Sequence, residues 1–153
     1  MAISPAPRTS SAEQPQRRGL GALRALLMLA IPLSVIHYTD NFVSFDIYPT
    51  AHLLGRHLTP DAIWIGWIVF TAAGLLGYRL YRSGRTLAAS AALAFYSISG
   101  LISIGHYAEP GMARLAWWRH VAIWIDVALG TAVLMFALWS AQRTLSRRRK
   151  RPT

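Results

Sequence analysis

Apolar residues in this chain fall into four long runs, and polar residues collect between the runs or in narrow stripes along them. Each run is close to the ~20 residues an α-helix needs to cross the hydrocarbon core of a bilayer. The pattern predicts spans at about 20–42, 61–82, 86–106 and 117–140, hence an all-α fold: an antiparallel four-helix bundle integral to the membrane. Residues 1–19 read as a disordered tail rich in Pro, Ser, Gln and Arg, 20–141 as the membrane domain, and 142–153 as a basic tail. Pro32 predicts a kink within the first span. Thr59-Pro60-Asp61 is a helix start, with a capping hydroxyl, Pro at the first helical position and an acid at the positive dipole end. Arg82-Ser83-Gly84-Arg85 and Glu109-Pro110-Gly111 read as turns, and 46–59 as a loop broken by Pro49 and Gly55. Gly74 and Gly77 offer a small-residue surface for close helix packing.

The stripes carry the candidate chemistry. Continued as a helix, the end of the first span aligns Ser34, His37, Asp40, Asn41 and Ser44 on one face. The third span does the same with Tyr96, Ser99, Ser103 and His106, rising toward the same interface. Asp126 lies inside the fourth apolar run, where a carboxylate is expensive unless it meets a partner or a wet cavity. It follows His120 by six residues, roughly 240° around a helix, so those two do not share a face. Arg119, seven residues earlier, does share it, and the reading places its guanidinium within reach of Asp126, with Ser103, Tyr96 or Thr71 as alternative partners.

Charge sets the orientation. The N-terminal segment carries Arg8, Arg17, Arg18 and Arg24, the middle turn Arg79, Arg82 and Arg85, and the C-terminal tail Arg143 and Arg147-Arg148-Arg149-Lys150-Arg151; the other side has Arg56, Arg114 and Arg119. By the positive-inside rule both termini are cytoplasmic, in a plasma membrane. All five His lie toward the opposite end, with five of the six acids, so that end reads as the working end. The net charge of +10 marks topology, and the terminal basic run suits anionic lipid; no basic patch interleaves with exposed aromatics as a nucleic-acid surface requires. Arg17-Arg18 before an apolar run that is long enough to span reads as a retained signal anchor. The Trp residues read as interfacial anchors. Arg outnumbers Lys fifteen to one, a composition expected of a GC-rich bacterial genome. With no cysteine, disulfides and thiolate metal sites are excluded.

Three imidazoles from three spans, His37, His106 and His120, reach similar depth and with Asp40 present a possible metal site; two of them could ligate haem, which would be non-covalent because no C-x-x-C-H motif exists. His37 beside Asp40 equally suits proton transfer, the carboxylate fixing the ring tautomer. The layout of four spans with His and carboxylates toward one end resembles small membrane proteins of the sterol-isomerase and sigma-2-receptor class. The His-to-Glu spacing of that class is absent, since Asp40 follows His37 by three, and no catalytic residue carries over.

The leading expectation is an enzyme acting on an apolar, lipid-like or isoprenoid substrate by isomerisation, cyclisation or hydrolysis. His37, oriented by Asp40, moves protons and Asp126 stabilises developing positive charge; Asn41, Ser44, Ser103 and Tyr96 line the substrate, with Asp46 and Tyr48 at the mouth. The competing expectations are a metal- or haem-binding protein, and a structural subunit or homo-oligomer whose stripes are helix–helix glue.

Overall fold

The computed structural model describes residues 13–48, 52–53 and 56–150. Residues 1–12, Pro49, Gly55 and Arg151 therefore lie outside the described residues. The rest of the expected disordered tail, 13–19, is instead helical, and the last helix runs past the expected 140 to Arg149, through Gln, Leu and Arg residues that favour helix. Four α-helices make up nearly all of the fold: α1 (Glu13–Val43), α2 (Pro60–Arg82), α3 (Thr86–Leu101) and α4 (Trp117–Arg149). A 3-10 turn at Phe45–Ile47 leads into the predicted 46–59 loop, which holds a minimal ladder in which β1 (His52–Leu53) runs antiparallel to β2 (Arg56–His57), pairing His52 with His57.

The helix ends follow from local chemistry. Thr59 caps α2 by accepting from the Ala62 amide at 3.3 Å, with Pro60 and Asp61 in the first turn, as the sequence pattern predicts. The other end of α2 closes with two reverse bonds, Arg85 N–H to Leu80 O at 2.9 Å and Gly84 N–H to Tyr81 O at 3.1 Å. That Schellman closure needs the left-handed conformation Gly84 adopts, at φ 78°. α1 runs through Pro32 as one continuous helix. The third span departs from expectation: α-helix gives way after Leu101 to a 3-10 stretch, Ile102–Ala108. Gly100, Ser103, Gly105 and the β-branched Ile102 and Ile104 are weak helix formers, and 3-10 tightening is common where a helix ends.

Among the described residues, four helices are long and apolar enough to cross a membrane. Each packs against its neighbour in sequence, and α1 closes the ring against α4. The interior is layered. One apolar cluster, built on Leu23, Leu27, Tyr81, Leu93, Val133 and Phe136, fills the end carrying the basic turn. A smaller one, Tyr48, Met112, Leu115 and Ile123, lies under the loops at the opposite end. Between them is a buried polar layer of Ser34, His37, Asn41, Ser99, Ser103, Arg119 and Asp126. Large apolar side chains such as Met28, Ile65, Leu76 and Met135 point outward instead. An exterior more apolar than the middle of the interior is the arrangement a lipid solvent favours.

Glycine decides how closely the helices approach. A Cβ on Gly100 would run into the Asp126 carbonyl and lie 3.0 Å from the Gly130 Cα, and a Cβ on Gly130 would lie 2.9 Å from the Ser97 carbonyl. α3 and α4 thus cross backbone to backbone. Gly74 and Gly77, expected to serve close packing, receive the Tyr96 ring and the Leu93 side chain, which a Cβ would meet at 2.9 and 2.7 Å.

Candidate functional site

The polar layer divides into two compartments. The first gathers at the ends of α1 and α4. Asp40 receives a two-pronged pair from Arg119, Nε to Oδ2 at 2.9 Å and Nη2 to Oδ1 at 3.0 Å. Ser44 donates to Asp40 Oδ1 at 3.1 Å while accepting from Arg119 Nη2 at 2.9 Å, and the Tyr48 hydroxyl donates to Asp40 Oδ2 at 2.5 Å. Each carboxylate oxygen then accepts twice, which exhausts its ordinary capacity. The Arg119 guanidinium is also stacked, its Cζ lying 4.8 Å from the Trp118 ring centroid and 5.2 Å from that of Tyr48. Burial, reinforced by donation to Asp40, holds the Tyr48 phenol above its ordinary value, so it stays a donor.

Two expectations are corrected here. Arg119 does not descend to Asp126: seven residues separate them along α4, about 10 Å of rise, whereas α1 brings Asp40 level with the guanidinium. Nor does Asp40 orient His37, because its oxygens are already occupied. Asn41 takes that place, its Nδ2 lying 3.0 Å from His37 Nε2 and 3.1 Å from the His37 carbonyl, a contact one helical turn apart. An amide nitrogen only donates, so Nε2 accepts and the ring proton belongs on Nδ1 in this arrangement. His37 is 2% exposed, and among the described residues its Nδ1 has no hydrogen-bond partner. His106, carried in by the 3-10 stretch, stands edge-on to it with ring centroids 5.8 Å apart, and its Nδ1 is likewise buried without a partner. The Tyr48 ring lies 5.2 Å from His106 and joins the imidazole pair to the Asp40–Arg119 network.

His120 is elsewhere. Its Nδ1 meets the Tyr107 hydroxyl at 3.0 Å, and Tyr107 also stacks near Trp124, on the outer side of α4. The three-imidazole metal centre expected of His37, His106 and His120 is therefore not assembled, and among the described residues no three His or acidic side chains could hold one ion. The backbones of His52 and His57 pair in the ladder, but their side chains lie outside the described residues.

The second compartment surrounds Asp126, one turn from the Gly100–Gly130 crossing. The residue is 3% exposed. Ser103 Oγ lies 3.5 Å from its Oδ2, at the limit of a hydrogen bond, and among the described residues it makes no ion pair. A void of about 10 Å³ adjoins it, lined by Ser34, Tyr96, Ser99, Gly100 and Gly130, room for about one water. The walls are stiff: Tyr38 Oη donates to the Ser99 carbonyl at 2.9 Å, and Trp67 Nε1 donates to Ser34 Oγ at 3.0 Å. Trp67, expected as a membrane anchor, is thus also a hydrogen-bonding member of this wall.

Of the residues singled out from sequence, His37, Asp40, Asn41, Ser44 and His106 come together at one end. Ser103, Tyr96 and Asp126 come together below, and His120 stands apart. Helical periodicity along α4 pairs Arg119 with Asp126, the wrong acid, and the position of Tyr48 in a loop leaves it only at the rim. The usable signal was depth, since Arg119 at the start of α4 is level with the end of α1, where Asp40 lies. No family model, curated protein or solved structure matches this chain.

Proposed function

We propose that this is a multi-pass plasma-membrane protein, N and C termini cytoplasmic, whose His37–His106 pair performs acid–base chemistry on an apolar, lipid-like molecule reaching the bundle from the bilayer. The orientation rests on the arginines gathered at the tails and the 79–85 turn. The chemistry rests on one observation: two neighbouring imidazoles, each with a buried ring nitrogen that has no partner among the described residues, beside a carboxylate already neutralised by Arg119. A buried polar nitrogen with no partner is costly, and a substrate or water that bonded it would relieve the cost. Asp40 and Asn41 then act by position, the first anchoring Arg119 and the second setting the His37 tautomer. His37 and His106 exchange protons, and Asp126 with Ser103 and Tyr96 forms the deeper wall facing any developing positive charge. Isomerisation, cyclisation or hydrolysis of an isoprenoid would each use such a set.

The test compares lipids extracted from purified wild type with those from His37→Ala and His106→Ala proteins. Wild type is expected to retain a substrate–product pair, and the variants, folded by circular dichroism, only the unconverted member. Identical profiles in all three would count against acid–base catalysis at this pair.

The same imidazoles favour a second reading. Their ring centroids, 5.8 Å apart, are near enough for one ion to sit between the rings at ~2 Å from a nitrogen of each. A metal or haem held by His37 and His106 is checked by metal content and visible absorption of freshly purified protein, with His37→Ala as control.

A further inference from the structure

The opposite end of the bundle holds a second polar feature that the acid–base reading does not use. A half-open recess of about 60 Å³ lies between the start of α3 and the last turns of α4, lined by Tyr81, Thr86, Trp139, Ser140, Arg143 and Arg147, with Thr144 completing the wall. That volume takes a few waters or one tetrahedral oxyanion.

Three independent observations make it electropositive and short of an acceptor. The first is the helix start. α3 is 16 residues long, its N-cap Arg85 supplies no side-chain cap, and its first turn carries no acid, so the positive end of the helix is neither capped nor neutralised. The second is the pair of guanidinium groups one turn apart on α4. Arg143 is stacked on Trp139, its Cζ 4.7 Å from the ring centroid, and among the described residues neither Arg143 nor Arg147 has an acidic partner. Asp40, Asp46, Asp61 and Glu109 belong to the other end of the helices, and Asp126 to the buried polar layer. The acid at this end is Glu13, which opens α1, whereas the residues lining the recess come from α2, α3 and α4. The third is Ser140, which lines the recess at 3% exposure and whose hydroxyl has no hydrogen-bond partner among the described residues. A buried hydroxyl is normally bonded, and here the missing partner is an acceptor that the recess has room for.

We propose that this recess binds a phosphoryl group, with Arg143 and Arg147 pairing its oxygens, Ser140 donating from the floor and Thr86, at the positive end of α3, closing one wall. Arginine suits the role because its planar fork matches phosphate oxygens two at a time. The recess lies where the apolar run of α4 passes into its basic tail, the level at which phospholipid headgroups meet a spanning helix. The phosphoryl group comes either from a lipid headgroup or from free phosphate.

The experiment uses the full chain, delipidated in mild detergent, and native mass spectrometry or a thermal-shift titration. Phosphatidic acid is expected to bind at one per chain and at least about tenfold tighter than phosphatidylcholine of the same acyl chains. Replacing both arginines (Arg143→Gln with Arg147→Gln) should weaken it by about tenfold or more, and Ser140→Ala by about threefold. Arg149→Gln, which removes a charge from the same helix end but lies outside the recess, should change it less than about twofold. Arg143 and Arg147 are exposed beyond the recess, so the double variant is expected to keep the wild-type melting curve. Inorganic phosphate, with sulfate as comparator, separates the two sources. Binding of phosphate that displaces phosphatidic acid identifies a free-phosphate site, and phosphatidic acid binding that phosphate does not displace identifies a headgroup site. An equal loss for Arg149→Gln and the double variant would reduce the effect to diffuse charge and overturn the proposal, as would absence of binding by both probes.

Discussion

Asp40 and Asp126 are the same residue type in the same polar layer, and they meet opposite fates. Asp40 ends α1 inside a closed network in which Arg119, Ser44 and Tyr48 use its oxygens fully. Asp126 sits beside a backbone-to-backbone helix crossing with one long contact to Ser103 and a water-sized void. The first carboxylate holds elements together: it joins α1 to α4 across 79 residues of chain and pins the loop that carries Tyr48. The second contributes little that packing would not supply better without it. Hydrophobic replacement of a buried polar group is often neutral or stabilising, whereas removal of one partner from a buried ion pair leaves an uncompensated charge. A carboxylate inside a saturated network acts as structure, and Asp126, outside any such network, is the one free for the chemistry proposed above.

The largest effect should come from breaking the saturated side. Arg119→Gln strands Asp40 against the bundle and is expected to cost about 3–5 kcal/mol, read as a lowered melting temperature in detergent. Adding Asp40→Asn to it should restore part of that loss, and a double-mutant cycle with no coupling would refute the network. Next is the crossing that defines the other side. Gly100→Leu forces α3 away from Asp126 and Gly130 and should cost about 2–3 kcal/mol, with Gly105→Leu as a control, since a Cβ there meets nothing within 4 Å.

Tyr48→Phe removes a single bond to a charged acceptor and should cost about 1.5 kcal/mol. Its pH dependence has a definite sign. The phenol is raised above its ordinary 10.0, by burial first and by Asp40 second. A group raised in the fold contributes fully below its unfolded value and loses that contribution as pH climbs toward the folded one. The stability difference between wild type and Tyr48→Phe should therefore stay level from about pH 6 to about pH 9 and shrink above about pH 10. A difference that grows in alkali would contradict the Tyr48–Asp40 bond.

The smallest effect belongs to Asp126→Asn, which retains shape and replaces a carboxyl that, among the described residues, has no cation beside it. Its stability should stay within about 1 kcal/mol of wild type or rise, read as a melting temperature unchanged or higher. Substantial loss of folding would instead make Asp126 structural and remove the contrast with Asp40.

Several features were legible from local pattern alone. Four apolar runs of bilayer length predict four long helices, and the Thr59-Pro60-Asp61 cap and the turn at Gly84 depend only on neighbours in the chain. The stripe at Ser34, His37 and Asn41 is buried because helical periodicity aligns those positions on one face. Pairing was a different matter. His37 could be matched to Asp40 or Asn41, and only the position of Arg119 on another helix removes Asp40 from the choice. His106 and His120 sit at comparable depth in the sequence, yet one faces His37 and the other turns outward to Tyr107. The 3-10 stretch decides part of this, since three residues per turn rotate His106 away from where α-helical spacing would leave it.

Sequence by itself thus determined what depends on short-range periodicity and composition: helix number, the two ends of α2, apolar exteriors, and which faces are polar. The tertiary structure alone decided which polar groups meet: Arg119 with Asp40, His37 with His106, Trp67 with Ser34. The physical reason is range. Helix formation and lipid exposure respond to residues three or four positions apart. Partner choice depends on the rotation and height of separate helices, set by close contacts such as the one between Gly100 and Gly130, which no local pattern records.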